Sequence, residues 1–272
     1  MLRQRIITAV ILVAVLLVAI VQFPPLWFQV FIAVCIALGV WEWSRLAGVQ
    51  ELPWRAAYTG LTLMLMFALQ YLSLPLRNAL LQFSVLWWLL ALALVCLYPR
   101  GSALWHRCVV LLPAGLLVLL PGWLALSHLR GLERHAFFIL LLLALVAAAD
   151  IGAYFTGRAF GKHKLAPLVS PNKTWEGFAG GQLAVCAVLW LVLVTHGIEL
   201  TLLQGVLATL AAFVLAAASV VGDLFESMLK RQAGVKDSGT LLPGHGGVLD
   251  RIDSLTAALP VYSVFLLQAG FL

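Results

Sequence analysis

Charge is what this chain has least of. Charged residues make up only 10% of its 272 positions, against 63% hydrophobic residues and a mean hydropathy of +1.05. Soluble domains are about a quarter charged, so a water-soluble single domain is excluded. Disorder, which needs low hydrophobicity and high charge, is excluded with it. Cysteine is also sparse: Cys35, Cys96, Cys108 and Cys186 form no C-x-x-C pair and lie in or beside apolar segments. They read as small buried hydrophobes rather than as a zinc site or a disulfide framework. A Walker A loop, an internal repeat and a low-complexity stretch are all missing.

What is present is a succession of apolar runs. A spanning helix needs about 20 mostly apolar residues to cross about 30 Å of hydrocarbon. Nine runs fit: Ile6–Phe23, Leu26–Trp43, Ala56–Leu74, Asn78–Tyr98, Cys108–Ser127, Ala136–Phe155, Phe178–Thr195, Leu200–Asp223 and Ser254–Leu272. The expected fold is all-α, a polytopic helical integral membrane protein of about nine transmembrane helices forming one membrane domain over residues 1–272. The first run follows Arg3 and Arg5 and lacks a small-x-small cleavage site, so it reads as an uncleaved span. Pro24-Pro25 crowds the start of the second, and Pro113 and Pro121 predict a kink in the fifth.

The net charge of +6, from 17 Lys+Arg against 11 Asp+Glu, points to basic cytoplasmic loops and an anionic substrate; it does not require nucleic acid. With the N-terminus cytoplasmic, the inside segments hold Arg3, Arg5, Arg45, Arg55, Arg100, Arg107, Arg158, Lys162, Lys164, Lys173, Lys230, Arg231, Lys236 and Arg251. The outside loops hold only Arg77, Arg130 and Arg134. An excess of basic residues marks the cytoplasmic side.

The acids are gathered rather than spread. Apart from Glu199, those after residue 149 are Asp150, Glu176, Asp223, Glu226, Asp237, Asp250 and Asp253, all near the cytoplasmic face on this topology. Asp150 is expected in the last turns of the sixth span and Asp223 at the end of the eighth. An ionised acid in hydrocarbon is costly unless paired or metal-bound, so an intramembrane acid is a functional candidate by default. Pairing of Asp150 with Arg158 or a nearby lysine is the plainer alternative. Asp250 and Asp253, spaced i, i+3, share a helix face. With Asp223 they could bind a hard divalent cation through oxygen, or simply favour a helix N-terminus.

Two polar stretches face the same side. The segment 157–177 reads GRAFGKHKLAPLVSPNKTWEG. Its glycines allow close backbone approach, and amides with lysines can cradle phosphate. Lys173, between Asn172 and Thr174 and near Ser170 and Glu176, is the better site candidate; Lys162 and Lys164 suit attraction to anionic lipid, and His163 reads as an exposed loop residue. The segment 227–253 carries Lys230, Arg231, Lys236 and Arg251, which can bind phosphate charge. Its Gly244, Gly246 and Gly247 surround His245, and His245 alone is no sign of base catalysis. Cations for phosphate and acids for metal at one membrane face suit phosphoryl or nucleotidyl transfer.

Residues 227–253 closely resemble the signature of the phosphatidate cytidylyltransferases, or CDP-diacylglycerol synthases. The pattern is S-x-apolar-K-R, four residues, K-D, then H-G-G-x-x-D-R-x-D. It is met by Ser227, Lys230-Arg231, Lys236-Asp237, His245-Gly246-Gly247, Asp250-Arg251 and Asp253. Upstream, Asp150, Ala153-Tyr154, Gly157, Ser170-Pro171-Asn172-Lys173-Thr174, Glu176-Gly177 and Gly222-Asp223 also match. The specific resemblance covers residues 150–253; the N-terminal half matches only as generic spans. It implies N-terminal spans over 1–135, and catalytic spans and cytoplasmic loops over 136–272. The implied reaction takes CTP and phosphatidate to CDP-diacylglycerol and pyrophosphate at a bacterial inner membrane, with Mg²⁺ and, in some members, a monovalent cation such as K⁺. Asp223, Asp250 and Asp253 are the implied metal ligands, with Asp150 behind them. Lys173, Lys230, Arg231, Lys236 and Arg251 are the implied phosphate-holding cations. Ser170, Asn172, Thr174, Glu176, Asp237, His245, Gly246 and Gly247 are implied to line the substrate site. The resemblance is compatible with a homodimer, which no sequence feature demonstrates.

Two other readings share these features. A lipid or polyprenol kinase using CTP would transfer the γ-phosphoryl group and leave CDP. A transporter for an anion or divalent cation would hold its acids at mid-membrane rather than at one face. The orientation is directly testable: a periplasmic-active reporter fused after Leu272 should be active and one fused at the N-terminus silent; the reverse pattern would overturn the charge-based assignment.

Overall fold

The computed structural model describes the backbone of Leu2–Leu272 and the side chains there, except those of residues 2–5, 103 and 104. The side chains of Arg3 and Arg5 therefore lie outside the described residues. The helices are α1 (Leu2–Gln22), α2 (Pro25–Leu46), α3 (Leu52–Leu69), α4 (Leu74–Leu97), the single-turn α5 (Ser102–Trp105), α6 (Cys108–Arg130), α7 (His135–Phe160), α8 (Trp175–Thr195), α9 (Leu202–Gln232) and α10 (Leu249–Gln268). Between α7 and α8 lies one antiparallel hairpin, β1 (Lys164–Ala166) with β2 (Ser170–Thr174), in which Lys164 pairs with Thr174 and Ala166 with Ser170.

Local chemistry sets the breaks. Proline opens α2, α3 and α4 at their first or second positions, where the missing N–H costs nothing and φ is already helical. Pro24-Pro25 thus begins a helix instead of spoiling one. A Thr201/Gln204 capping box starts α9, and Gly234, at φ +69°, turns the chain out of its end. Helix α6 runs unbroken from Cys108 to Arg130 with Pro113 and Pro121 inside it.

Among the described residues six helices, α2, α4, α6, α7, α8 and α9, are long and apolar enough to cross a membrane. Their outward faces carry large apolar side chains such as Leu183 and Val194. That makes the chain an all-α polytopic membrane protein, since helices apolar all round belong in lipid or a core. Cross-chain contacts sort the helix ends into two groups. At one end Arg130 donates to the Phe23 carbonyl (2.8 Å), Gln70 to Ser127 (3.2 Å), and Phe138 packs on Phe271 with ring centres 5.3 Å apart. At the other Thr8 donates to the Pro243 carbonyl (3.3 Å), Arg45 to that of Ser238, and Arg231 to that of Val169 (3.2 Å). Successive long helices therefore run in alternate directions, and both polar segments meet at one end.

Two expected boundaries move. Asp150 is not in the last turns of its helix, because α7 continues to Phe160. Asp223 does not end α9 either; the helix runs on to Gln232, 31 residues in all, about 46 Å at 1.5 Å per residue. Ser227, Lys230 and Arg231 are therefore helical, and of the segment 227–253 only 233–248 is irregular. The cause is shelter: every residue from Leu224 to Lys230 is buried among neighbouring elements, so packing carries the helix on past Asp223.

Glycine permits the closest helix pairs. A Cβ on Gly181 of α8 would lie 2.7 Å from the Ala149 carbonyl oxygen of α7, and one on Gly152 would lie 2.6 Å from Ala184 Cβ. On α9, a Cβ on Gly222 would strike the Asp253 carbonyl and come within 3.2 Å of Ala257 Cβ on α10. Small residues let membrane helices approach in this way, and here the approach sets Asp223 beside Asp253. Gly222→Val should lower stability by about 1–3 kcal/mol through overpacking, read as a reduced unfolding temperature in detergent. A wild-type unfolding temperature would contradict this close contact.

Candidate active site

Six charged side chains from three elements meet where α9, α10 and the hairpin converge. Lys173, on β2, reaches across to α9, where its Nζ lies 2.6 Å from Asp223 Oδ2. The other Asp223 oxygen accepts from the Ser227 hydroxyl at 3.1 Å, one turn on along α9. One turn further, Lys230 is buried, with Nζ 2.7 Å from Asp250 Oδ1 on α10 and 3.1 Å from Glu226 Oε1. Asp253 feels the charges of Asp223, Lys230 and Lys173. Asp150, across on α7, is in electrostatic reach of Lys173 and Asp223.

Asp250 is the most heavily held of the acids. Its Oδ2 accepts from the Ser238 amide (2.9 Å), the Ser238 hydroxyl (2.9 Å) and the Gly247 amide (2.8 Å), while Oδ1 takes Lys230. Its i, i+3 relation to Asp253 on one helix holds as expected, since α10 begins at Leu249. The turn ahead of it is tight. Leu242 donates to the Gly246 carbonyl and His245 to that of Leu242, both at 2.9 Å, with Gly246 at φ +82°. A Cβ on Gly246 would lie 2.6 Å from Asp250 Oδ2, so both the backbone conformation and the space there require glycine. His245 is half-buried, and its Nδ1 has no hydrogen-bond partner among the described residues.

The remaining candidates divide by what they touch. Thr174 is buried and caps α8, accepting from the Gly177 amide at 3.1 Å. Glu176 turns back to the hairpin, accepting from the Lys162 and His163 amides and lying 2.6 Å from His163 Nδ1. Both shape the loop that carries Lys173. Ser170 and Asn172 flank Lys173 on β2. Arg231 ties α9 to the hairpin through the Val169 carbonyl. Lys236, Asp237 and Arg251 are exposed around the rim, and Lys236 and Arg251 form no ion pair among the described residues.

Sequence reasoning passed over three residues on α2 and the connecting loop. Glu42 is 2% exposed, and its carboxylate accepts from the amides of Val248 (3.1 Å) and Leu249 (2.8 Å) and lies 3.1 Å from the Ser238 hydroxyl. Arg45 donates to the Asp237 and Ser238 carbonyls. A signal existed for Glu42: an acid inside an apolar span is a functional candidate wherever it falls. Nothing in the local sequence marks Ser238.

The charges do not balance. Asp223, Glu226, Asp250 and Asp253 share Lys173 and Lys230, and neither Glu226 oxygen has a hydrogen bond. Among the described residues, no three His, Cys, Asp or Glu side chains are grouped to enclose a metal ion by themselves. The site thus sets surplus acid beside exposed rim cations.

Fold and site together define a class: a helical membrane protein with a charged site built into one end of its bundle. The family model described as "Cytidylyltransferase family" matches residues 3–268, and the chain belongs to that family. It is 47% identical to a protein of Pseudomonas aeruginosa named phosphatidate cytidylyltransferase, over 100% of this chain and 99% of that one. A Haemophilus influenzae protein of the same name is 41% identical over 97% of this chain and 98% of its own length. One from Brucella suis is 40% identical over 97% and 93%.

Lys230→Met should cost about 3–5 kcal/mol, because it leaves Glu226 and Asp250 buried without their cation. Lys236→Met, at the exposed rim, should stay within about 0.5 kcal/mol of wild type. Thermal unfolding of both in one detergent checks the pair; equal unfolding temperatures would contradict the buried-ion-pair account.

Proposed function

We propose that this chain transfers the cytidylyl group of CTP to phosphatidate, giving CDP-diacylglycerol and pyrophosphate. Family membership over nearly the whole chain supports the reaction class. The observation that carries the reading is the Lys173–Asp223 and Lys230–Asp250 pairing at one end of a lipid-facing bundle, ringed by Arg231, Lys236 and Arg251. A lipid phosphate can reach this end while its tails stay beside the helices. The basic bias of the same end supports a cytoplasmic site in a bacterial inner membrane, and nine crossings fit that bias.

The chemistry follows from charge. A phosphatidate phosphate oxygen attacks the α-phosphorus of CTP; the new P–O bond forms as the bond to the bridging oxygen of pyrophosphate breaks, and the electron pair leaves with pyrophosphate. A phosphate monoester is largely ionised at neutral pH, so no strong base is needed. The obstacle is repulsion between two anions and charge building on the leaving group, which cations and positioning address. Lys173 is half-buried, and it can exchange Asp223 for a phosphate. Lys230, buried between two acids, holds Asp250 in place. Arg231, Lys236 and Arg251 supply rim charge for the triphosphate and lipid headgroup.

The surplus acid also supports Mg²⁺. A bound Mg²⁺ would neutralise phosphate charge and polarise the α-phosphoryl group. Asp223, Asp250 and Asp253 would hold it, with Asp150 behind them, because a carboxylate oxygen that accepts one hydrogen bond keeps a second lone pair for a metal. Two of these carboxylates suffice, since Mg²⁺ keeps several waters and takes substrate phosphates as its other ligands. A monovalent cation such as K⁺ and a homodimer belong to the same proposal.

The test uses purified protein in mixed micelles with phosphatidate, α-³²P-labelled CTP and Mg²⁺. Label should enter a lipid as pyrophosphate is released, and both should vanish in Asp253→Asn. Formation of CDP without labelled lipid would instead indicate γ-phosphoryl transfer or hydrolysis, and would overturn the reading.

A further inference from the structure

The N-terminal helices carry no part of the signature, yet one of them holds its central loop from beneath. Helix α10 begins at Leu249 with no side-chain cap of its own. Its first amides are capped by Glu42 from α2, at 3.1 Å from Val248 and 2.8 Å from Leu249. The same carboxylate lies 3.1 Å from the Ser238 hydroxyl, which is 2.9 Å from Asp250 Oδ2. Ser238 is completely buried, and Glu42 nearly so. One turn along α2, Arg45 takes the carbonyls of Asp237 and Ser238. An acid and a base on one helix end thus hold the N–H and C=O groups of a single loop.

The loop is shaped to receive that acid. A Cβ on Gly239 or Gly247 would run into the Glu42 carboxylate. Two glycines of the loop therefore make room for a side chain from elsewhere in the chain. Helix α2 is itself pinned: Trp43 is buried, and its indole donates to the Leu111 carbonyl of α6 at 2.7 Å.

We infer that Glu42 is a positioning residue for cytidylyl transfer: through Ser238 and the start of α10 it sets Asp250, and through Asp250 the buried Lys230. Glu42 touches neither substrate nor metal in this scheme. The Ser238 hydroxyl, whose one proton lies between the two carboxylates, and the capped start of α10 transmit its placement. Glu42→Gln would turn an NH₂ toward one of these two buried amides, and an unpaired amide of that kind shifts the backbone to find an acceptor. Displacements of about 1 Å near reacting groups cost on the order of 100-fold in rate. The inference rests on the cytidylyl-transfer reading.

The test compares wild type, Glu42→Gln, Ser238→Ala and the double variant in the same micelle assay, with unfolding temperatures measured alongside. Wild-type activity separates the two claims: an inactive, folded wild type defeats the reaction reading, whereas an active wild type with unaffected variants defeats only this inference. Glu42→Gln should lower kcat by roughly 10–100-fold, leaving the KM for CTP within about threefold, because Lys173 and Arg231, held by Asp223 and the Val169 carbonyl, do not depend on Glu42. Since both residues act through Asp250, the double variant should be little worse than Glu42→Gln alone. An Ile32→Ala variant, which opens the buried face of α2 far from the loop, should lose stability but keep kcat per folded molecule. Unchanged kcat in Glu42→Gln, or strictly additive losses in the double variant, would overturn the assignment. If Glu42→Gln does not fold, Ser238→Ala decides alone: reduced kcat at constant KM supports the chain of contacts, and unchanged kcat overturns it.

Discussion

Four acids and two lysines share one buried corner of a membrane protein, and much of the structure follows from that imbalance. Carboxylates away from water are tolerated only when paired or hydrogen-bonded. Lys230 meets this demand for Glu226 and Asp250, and Lys173 for Asp223. Because these contacts join α9 to α10 and β2 to α9, the electrostatic requirement is also the mechanical link between the elements of the site. Gly222 allows the two acid-bearing helices close enough for the link to form.

The site is an outer ring around an inner frame. Inside are groups with every contact engaged: Asp250 with four hydrogen-bond or ion-pair contacts, Glu42 with three, and Thr174 and Glu176 shaping the hairpin. Outside are Arg231, Lys236 and Arg251, exposed and available to phosphate. Lys173 and Asp223 stand between, each partly open to solvent. In the proposed reaction the frame is rigid and only the middle pair exchanges partners, so the site holds a polyanion with little reorganisation.

Much of this was legible in the sequence, for physical reasons that can be named. The apolar runs lie in long helices, six of them long and apolar enough to cross a membrane, because lipid forces backbone hydrogen bonds into the segment itself. The i, i+3 spacing of Asp250 and Asp253 held because it depends only on helix geometry. What was not legible depended on contacts between distant residues. The extension of α9 to Gln232 needs burial by neighbours, so a charged turn was read as a helix end. Glu42 lies far from the signature in sequence, and only the packing of α2 beneath the 238–249 turn brings it there.

In the proposed reaction, surplus acid around Asp223 and Asp253 takes a divalent cation. The most direct test is the unfolding temperature of the substrate-free protein in detergent as Mg²⁺ is raised through the millimolar range. A ligand that binds only the folded state must stabilise it, so wild type should unfold at progressively higher temperature, and Asp253→Asn should not respond. A wild-type protein indifferent to Mg²⁺, or an equal response in Asp253→Asn, would contradict the claim.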